Sequence, residues 1–166
     1  MKIIVLVKQI LDPAGISVRR DKERVFINTE EYIVGPGSKA AIEAALRLKG
    51  EGEEHTVIAL CLGQPRADDA LREALAMGCD SACLVADKAL KDADTAVAVR
   101  ALAAAVGKLG GADLIIAGRA SGDTGTGQMA PRLAEALGYA RVTDVYALAV
   151  RDGALQATRR WGQGYA

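Results

Sequence analysis

Short apolar runs and amphipathic segments alternate regularly along most of the chain. The apolar runs are rich in Val, Ile and Leu and cover Lys2–Lys8, Thr56–Leu62, Ser81–Ala86 and Asp113–Gly118. Near-continuous apolarity over so few residues is typical of strands that helices cover on both faces. The alternation therefore predicts an α/β fold, in which an open parallel sheet with right-handed crossovers carries helices on both faces.

The segments between and after these runs have the spacing of helices. Helices are predicted over Ser38–Lys49, Arg66–Met77, Asp94–Leu109 and, approximately, Gln128–Leu137. Each is followed directly by a glycine, at positions 50, 78, 110 and 138. Because glycine tolerates the left-handed conformation that ends many helices, these glycines are interpreted as helix stop signals.

Two further segments predict β-hairpins. Between the first strand and the first helix, the halves of residues 16–31 flank the turn-like sequence RDKE, which indicates an inserted hairpin. Near the end of the sequence, Asp152 and Gly153 separate two alternating runs, and Asp-Gly is a strong hairpin signal. No linker, low-complexity segment or repeat interrupts the sequence, so a single domain is expected over residues 1–166.

The composition argues against several classes of protein. Hydrophobic residues make up 51% and charged residues 25%, as in globular proteins. The 21 basic and 21 acidic residues cancel, so no nucleic acid partner is expected. No apolar run approaches the ~20 residues of a membrane span, and the start of the chain resembles a strand more than a signal peptide. Cysteines without a C-x-x-C motif indicate buried thiols in a reducing cytoplasm, and we expect no membrane insertion.

The most distinctive stretch is the glycine-rich loop in AGRASGDTGTGQMAP, residues 117–131. Four of the ten residues from Gly118 to Gly127 are glycine, and a predicted strand and helix flank them. Such a loop lies beyond the carboxyl end of a parallel strand, where ligands bind. Glycines let the main chain approach a ligand, and the helix N-terminus behind them favours an anion. The loop predicts phosphate or pyrophosphate binding, and Gly127→Val is expected to block the phosphate without affecting the fold. A flexible surface loop without a ligand is the alternative.

Neither common nucleotide motif occurs in its usual form. The P-loop pattern is absent, and GTGQMA matches G-x-G-x-x-A only in the fourth strand–helix unit, well after its strand. A second loop, IVGPGSKAA, precedes the first helix, with Ser38 as its expected N-cap. A cap and a turn explain this loop without a ligand, and Gly63 after the second strand is equally a turn residue. Alternatively, both contribute walls to the same cleft.

No catalytic constellation emerges from the sequence. His55, the only histidine, is interpreted as a solvated loop residue, and Cys79 and Cys83 lack metal-ligand spacing. The acidic residues at positions 68, 69, 92 and 94 are interpreted as charges at helix starts. Since no nucleophile, base and oxyanion donor come together, neither an enzyme with its own catalytic side chains nor a metal site is expected.

Taken together, five stretches resemble the β subunit of electron transfer flavoproteins, and the likeness runs from the first residue to the last. They are MKIIVLVKQILD, GPGSKAAIEAALRLKG, LREALAMGCDSACLVADKA, DADT and DLIIAGRASGDTGTGQMAPRLAEALG. The resemblance implies an adenine-nucleotide-binding fold shared with universal stress proteins. It also implies a heterodimer with an FAD-carrying α subunit, which passes electrons from dehydrogenases to an acceptor. The β subunit would itself bind AMP or a second FAD.

Carried over by position, the resemblance also implies a set of cofactor-binding residues at strand ends and in the glycine loops. They are Leu6, Lys8, Gly35, Pro36, Gly37, Ser38, Leu62, Gly63, Asp94, Thr95, Gly118, Arg119, Ala120, Ser121, Gly122, Asp123, Thr124, Gly125, Thr126, Gly127, Gln128 and Met129. DADT is similar to FAD-binding members and TGQM to AMP-binding members.

The sequence departs from the family pattern at three points. Gly35 stands where the family usually has Asn, and the glycine loop is a few residues shorter. The sequence stops at RRWGQGYA, within what resembles the family's late hairpin, so the arm that embraces the α subunit is expected to be missing. We therefore expect AMP, or the AMP half of a larger nucleotide, to bind the isolated chain. The alternatives are a stand-alone nucleotide-binding module of the universal-stress-protein type and a subunit that only packs against a partner.

Overall fold

The computed structural model describes residues 1–19, 21, 23–50, 54–162 and 164–165. Along these residues the strands and α-helices are β1 (Lys2–Val7), β2 (Gln9–Leu11), β3 (Ile16–Arg19), β4 (Arg24–Ile27), β5 (Tyr32–Val34), α1 (Pro36–Gly50), β6 (Thr56–Leu62), α2 (Asp68–Met77), β7 (Ser81–Val85), α3 (Thr95–Lys108), β8 (Leu114–Ala117), α4 (Met129–Leu137), β9 (Val145–Arg151), β10 (Ala154–Trp161) and β11 (Gly164–Tyr165).

The central sheet consists of parallel strands in the order β7-β6-β1-β8. From β1 the chain moves outward to β6 and β7, and it then returns to place β8 on the other side of β1. The strand order therefore reverses between β1 and β8, and a crevice forms beyond the carboxyl ends of these two strands. The predicted α/β fold is confirmed, and each of the four strands lies within one residue of its predicted bounds.

Alternate side chains of β1 point into two different cores. Ile3 and Val5 belong to a cluster with residues of α1 and α2, whereas Ile4 and Leu6 belong to a cluster with residues of α3 and α4. Successive side chains of a strand point to opposite faces of its sheet, so both faces of β1 are covered. The unbroken apolarity of β1 thus reflects helices on both faces, as predicted.

The start of α1 differs from the prediction. The helix begins at Pro36, because proline has a helical φ and no N–H that would need a partner in the first turn. The carbonyl of Gly35 accepts hydrogen bonds from the N–H groups of Ser38 (2.8 Å) and Lys39 (3.1 Å). The prediction that Ser38 caps this helix is wrong, since its Oγ instead accepts a hydrogen bond from the Lys8 N–H at 3.0 Å. This bond ties the end of β1 to the first turn of α1.

Three of the four predicted stop glycines adopt a left-handed backbone. Gly78, Gly110 and Gly138 follow α2, α3 and α4 with φ of 122°, 80° and 69°. Gly50 is different, because it is the last residue of α1 and has no positive φ. The predicted left-handed ending is therefore wrong at that position.

Both predicted hairpins are present. β3 pairs with β4 as the inserted hairpin, although its RDKE turn lies partly outside the described residues. β9 pairs with β10 through Asp152 and Gly153, whose φ values of 51° and 75° are both positive, as a type I′ turn requires. The antiparallel pairing of β2 with β5 was not predicted, since three-residue strands are too short to show a period.

His55 is buried, which contradicts its interpretation as a solvated residue. It is 5% exposed, and its Nδ1 lies 3.2 Å from the amino group of Met1. The cause is the register of the sheet, in which Lys2 is paired with Thr56. This register places His55 opposite the first residue of the chain.

The cysteines and the acidic residues of the described ranges form no cluster of metal ligands. Cys61 and Cys79 are buried and Cys83 is half-buried, and all three are free thiols. Burial raises the pKa of the Cys61 thiol to about 11. Within the described ranges, no His, Cys, Asp and Glu side chains gather into a metal site. The described helices include none that is long and apolar enough to cross a membrane.

Candidate nucleotide-binding site

A cleft of about 410 Å³ opens at the switch point, beyond the carboxyl ends of β1 and β8. Its walls come from the end of β1, the loop before α1, the loop after β6, the start of α3 and the glycine loop at residues 118–127. Pockets for small ligands usually measure roughly 300–1,000 Å³, so the cleft is large enough for one.

Most of the residues in the predicted cofactor site line this cleft. They are Leu6, Lys8, Gly35, Gly37, Ser38, Leu62, Gly63, Thr95, Gly118, Arg119, Ala120, Ser121, Gly122, Asp123, Thr124, Thr126, Gly127 and Met129. Pro36, Asp94, Gly125 and Gln128 do not line it. Asp94 instead caps α3, where its carboxylate accepts a hydrogen bond from the Val97 N–H at 2.8 Å.

The two glycine loops touch each other at the base of the cleft. A Cβ atom on Gly118 would lie 2.7 to 2.9 Å from the backbone carbon, oxygen and Cα of Gly37. A Cβ atom on Gly37 would lie 3.1 Å from the carbonyl oxygen of Ala120. Only glycine allows the two main chains to pass at this distance. This contact joins the start of α1 to the end of β8 across the switch point.

The glycine loop has an internal hydrogen-bonded structure. The Gly125 N–H donates to the Ser121 carbonyl at 3.0 Å, and the hydroxyls of Ser121 and Thr124 lie 2.8 Å apart. Gly127 has a φ of 63°, and a Cβ atom there would lie 3.2 Å from the Arg119 carbonyl oxygen. The expectation that Gly127→Val leaves the fold unaffected is therefore wrong, because a β-branched residue is strained at positive φ.

An ion pair connects the glycine loop to the end of β1. The Lys8 Nζ lies 2.7 Å from Oδ2 of Asp123. Burial raises the pKa of Asp123, but hydrogen bonds from Lys8, Ser121 and the Thr124 N–H outweigh it and hold this pKa below its ordinary value. The carboxylate is thus ionised at neutral pH and fixes the loop against β1.

Positive charge is concentrated at the cleft although the whole chain is neutral. Lys8, Arg66, Lys91 and Arg119 are among its lining residues, and Asp123 is the acidic lining residue within the described part of the chain. The apolar side of the cleft includes the half-buried Leu62 and Met129 together with the buried Leu6, Leu60 and Leu102. An apolar wall beside an excess of cationic groups suits a ligand with a flat apolar part and an anionic part.

Sequence reasoning missed the side of the cleft formed by Gln9, Tyr32 and Arg66. All three line it, and the Gln9 Nε2 donates a hydrogen bond to the Arg66 carbonyl at 3.1 Å. Arg66 was predicted as the first residue of a helix, but Pro65–Ala67 forms a short 3-10 turn and α2 begins later. Pro65 was the available signal, since proline marks the first residue of a helical turn.

Asp123→Asn should reduce the loss of thermal stability that the protein shows as the pH is lowered. Because the pKa of Asp123 is lowered on folding, the carboxylate stabilises the folded loop above the ordinary pKa of about 3.9, and this stabilisation is lost as pH falls through the lower folded value. Melting followed by circular dichroism should show a higher Tm for the wild type at about pH 6 and a shrinking difference below about pH 4. A difference that stays constant with pH would contradict this assignment.

Together, the reversed strand order and the cleft define a doubly wound α/β domain with a cleft at its switch point, the place where ligands bind in this class of fold. A model of the electron transfer flavoprotein domain family matches residues 24–166. The chain therefore belongs to the electron transfer flavoprotein family, as its motifs predicted.

Individual relatives are similar over nearly the whole chain. The electron transfer flavoprotein subunit beta of Clostridium acetobutylicum is 37% identical over 99% of this chain and 63% of the relative. Subunit CarD of the caffeyl-CoA reductase-Etf complex of Acetobacterium woodii is 34% identical over the same shares. The protein FixA of Azorhizobium caulinodans is 38% identical over 96% of this chain and 59% of the relative. The chain thus spans about 63% of the length of the first two relatives.

Proposed function

We propose that this chain is the nucleotide-binding part of an electron transfer flavoprotein β subunit. It binds an adenine nucleotide, AMP or FAD, in the cleft and pairs with an FAD-carrying α subunit to pass electrons from dehydrogenases to an acceptor. The observation that carries the proposal is the cleft at the switch point, which two glycine loops close and cationic side chains line. Residues 1–166 act as one such domain, in the cytoplasm and without catalytic side chains of their own.

The two sides of the cleft bind different parts of the nucleotide. The apolar side of the cleft binds the adenine, and the glycine loop together with Lys8 binds the first phosphate. The Ser38 hydroxyl accepts a hydrogen bond from the Lys8 N–H, and its own proton has no acceptor among the described residues, so it can donate to the nucleotide. When FAD is bound, the flavin supplies the electron transfer, and the role of this chain is to hold and orient the nucleotide.

Isothermal calorimetry of the purified chain with AMP and FAD tests the binding. We expect binding of AMP, and Lys8→Gln should weaken it by at least about tenfold, because a hydrogen bond from a charged group contributes about 1.5–3 kcal/mol. Lys108→Gln removes the same charge from the last turn of α3 and should leave the affinity unchanged. If the wild type binds none of AMP, ADP, ATP and FAD, the proposal is wrong. Mass spectrometry of the ligand released on denaturation identifies which nucleotide co-purifies.

Exposed apolar side chains support a partner for the second half of the chain. Val142 is 56% exposed, and Tyr146 on β9 is 73% exposed. Val145 between them is 38% exposed, so three exposed apolar residues lie within five positions of the sequence, and exposed apolar surface of this kind is typical of interaction sites. Co-expression with an α subunit should therefore yield a complex on size-exclusion chromatography. A chain that always elutes alone would favour the alternative function, a stand-alone module of the universal-stress-protein type.

A further inference from the structure

Arg66 is held at the cleft by an aromatic ring and has no carboxylate partner among the described residues. The guanidinium carbon of Arg66 lies 3.8 Å from the centroid of the Tyr32 ring. Both residues line the cleft, on the side formed by the loop after β6 and the start of β5. A guanidinium stacked on a ring keeps its N–H groups free at the edge, where they can donate hydrogen bonds in its plane.

Hydrogen bonds and strand pairing hold both members of this stacked pair in place. The backbone of Arg66 lies in the 3-10 turn, and its carbonyl accepts the hydrogen bond from the Gln9 side chain. Tyr32 is paired with Leu11 in the β2–β5 ladder, and its hydroxyl donates to Oε1 of Glu30 at 2.7 Å. The ring therefore has a set position at the cleft, and the guanidinium stacked on it is preorganised.

Two of the other cations at the cleft, Lys8 and Arg119, are paired with carboxylates, whereas Lys91, like Arg66, has no carboxylate within ion-pair distance among the described residues but is not stacked on a ring. Lys8 is paired with Asp123, and the Arg119 Nε lies 2.8 Å from Oδ1 of Asp144. No carboxylate of the described residues lies within ion-pair distance of the Arg66 guanidinium. The planar fork of an arginine matches the oxygens of a phosphate, so the stacked guanidinium is available to an anionic group of a ligand in the cleft.

We propose that Arg66 binds the second phosphate of a nucleotide diphosphate and makes the cleft prefer linked phosphates over a single phosphate. The ligand class is an adenine nucleotide with a diphosphate, such as ADP or the ADP part of a dinucleotide. This inference rests on the proposed function, because the glycine loop and Lys8 must hold the first phosphate. Tyr32 acts as the positioning residue that keeps the guanidinium aimed at the second.

Calorimetry with AMP and ADP tests this assignment, because these ligands differ only in the second phosphate. The wild type should bind ADP about tenfold more tightly than AMP, the usual scale of a charge-assisted hydrogen bond. Arg66→Gln should weaken ADP binding about tenfold more than AMP binding and so abolish the preference, and Arg66→Lys should retain only part of it. Tyr32→Leu should reduce the preference to about threefold, since loss of the stack leaves the guanidinium mobile.

Arg72→Gln is the matched control. Arg72 lies on the exposed surface of α2, paired with Asp68, and the same charge change there should leave the ratio of affinities unaltered. Equal affinities of the wild type for AMP and ADP, or an equal loss of both in Arg66→Gln, would overturn the inference and leave the proposed function standing. If the wild type bound neither AMP nor ADP, the inference would be wrong, and if it also bound neither ATP nor FAD, the proposed function would be wrong as well. Thermal melts of each variant confirm that it is folded.

Discussion

Gly118→Ala should destabilise the folded protein by about 1–3 kcal/mol, the usual cost of forcing an extra group into a packed site. The new Cβ would lie 2.7 Å from the carbonyl carbon of Gly37, and backbone atoms cannot turn away as the end of a side chain can. The start of α1 and the end of β8 must therefore move apart. Since this contact closes the base of the cleft, nucleotide affinity should fall together with stability.

Gly107→Ala provides the matched control for this substitution. Gly107 lies within α3, and nothing lies within 4 Å of the position that its Cβ would take. Because alanine favours a helix more than glycine does, this variant should be more stable by about 0.5–1 kcal/mol. Urea denaturation measures both free energies of unfolding. Equal effects of the two substitutions, or a neutral Gly118→Ala, would show that the glycine loops do not depend on this contact.

The parts of the fold that the sequence predicted are those with a local pattern. Continuous apolarity revealed the four parallel strands, and the Asp152-Gly153 pair revealed a type I′ turn, because each signal lies within a few adjacent residues. The burial of His55 has no such signal. It depends on the register between β1 and β6, which brings together residues far apart in sequence.

The same distinction applies to the cleft. Glycine composition located both loops, since glycine is the residue that close approach of a main chain requires. The contact between Gly37 and Gly118, however, joins segments on either side of the strand reversal. Arg66 was missed for a related reason, because its place beside Tyr32 follows from the short β2–β5 ladder and not from any local pattern.

The contact between the loops couples the stability of the domain to the shape of its cleft. The end of β1 is tied to α1 through Ser38 and to the glycine loop through Asp123. A nucleotide that bound between these elements would contact both, and would stabilise the folded chain by mass action. Thermal stability measured with and without nucleotide is therefore a second, independent readout of binding for each variant.

The helix behind the glycine loop depends on one buried side chain. Leu133 is the buried residue of α4, and at 1% exposure it packs in the core cluster that includes Ile4 and Leu102. Leu133→Ala should lower the free energy of unfolding by about 2–5 kcal/mol, the range for removing a buried leucine side chain. Because α4 begins at Met129, which lines the cleft, a loosened helix should also weaken nucleotide binding.

Leu75→Ala separates the effect of burial from that of the residue type. Leu75 lies on α2 and is 42% exposed, so the same truncation should change stability by only about 0.5 kcal/mol. Urea denaturation of the two variants gives the difference in stability, and calorimetry gives the difference in nucleotide affinity. If Leu133→Ala lost stability but bound the nucleotide as tightly as the wild type, the N-terminus of α4 would have no part in binding. If it lost neither, α4 would be held against the sheet by contacts other than Leu133.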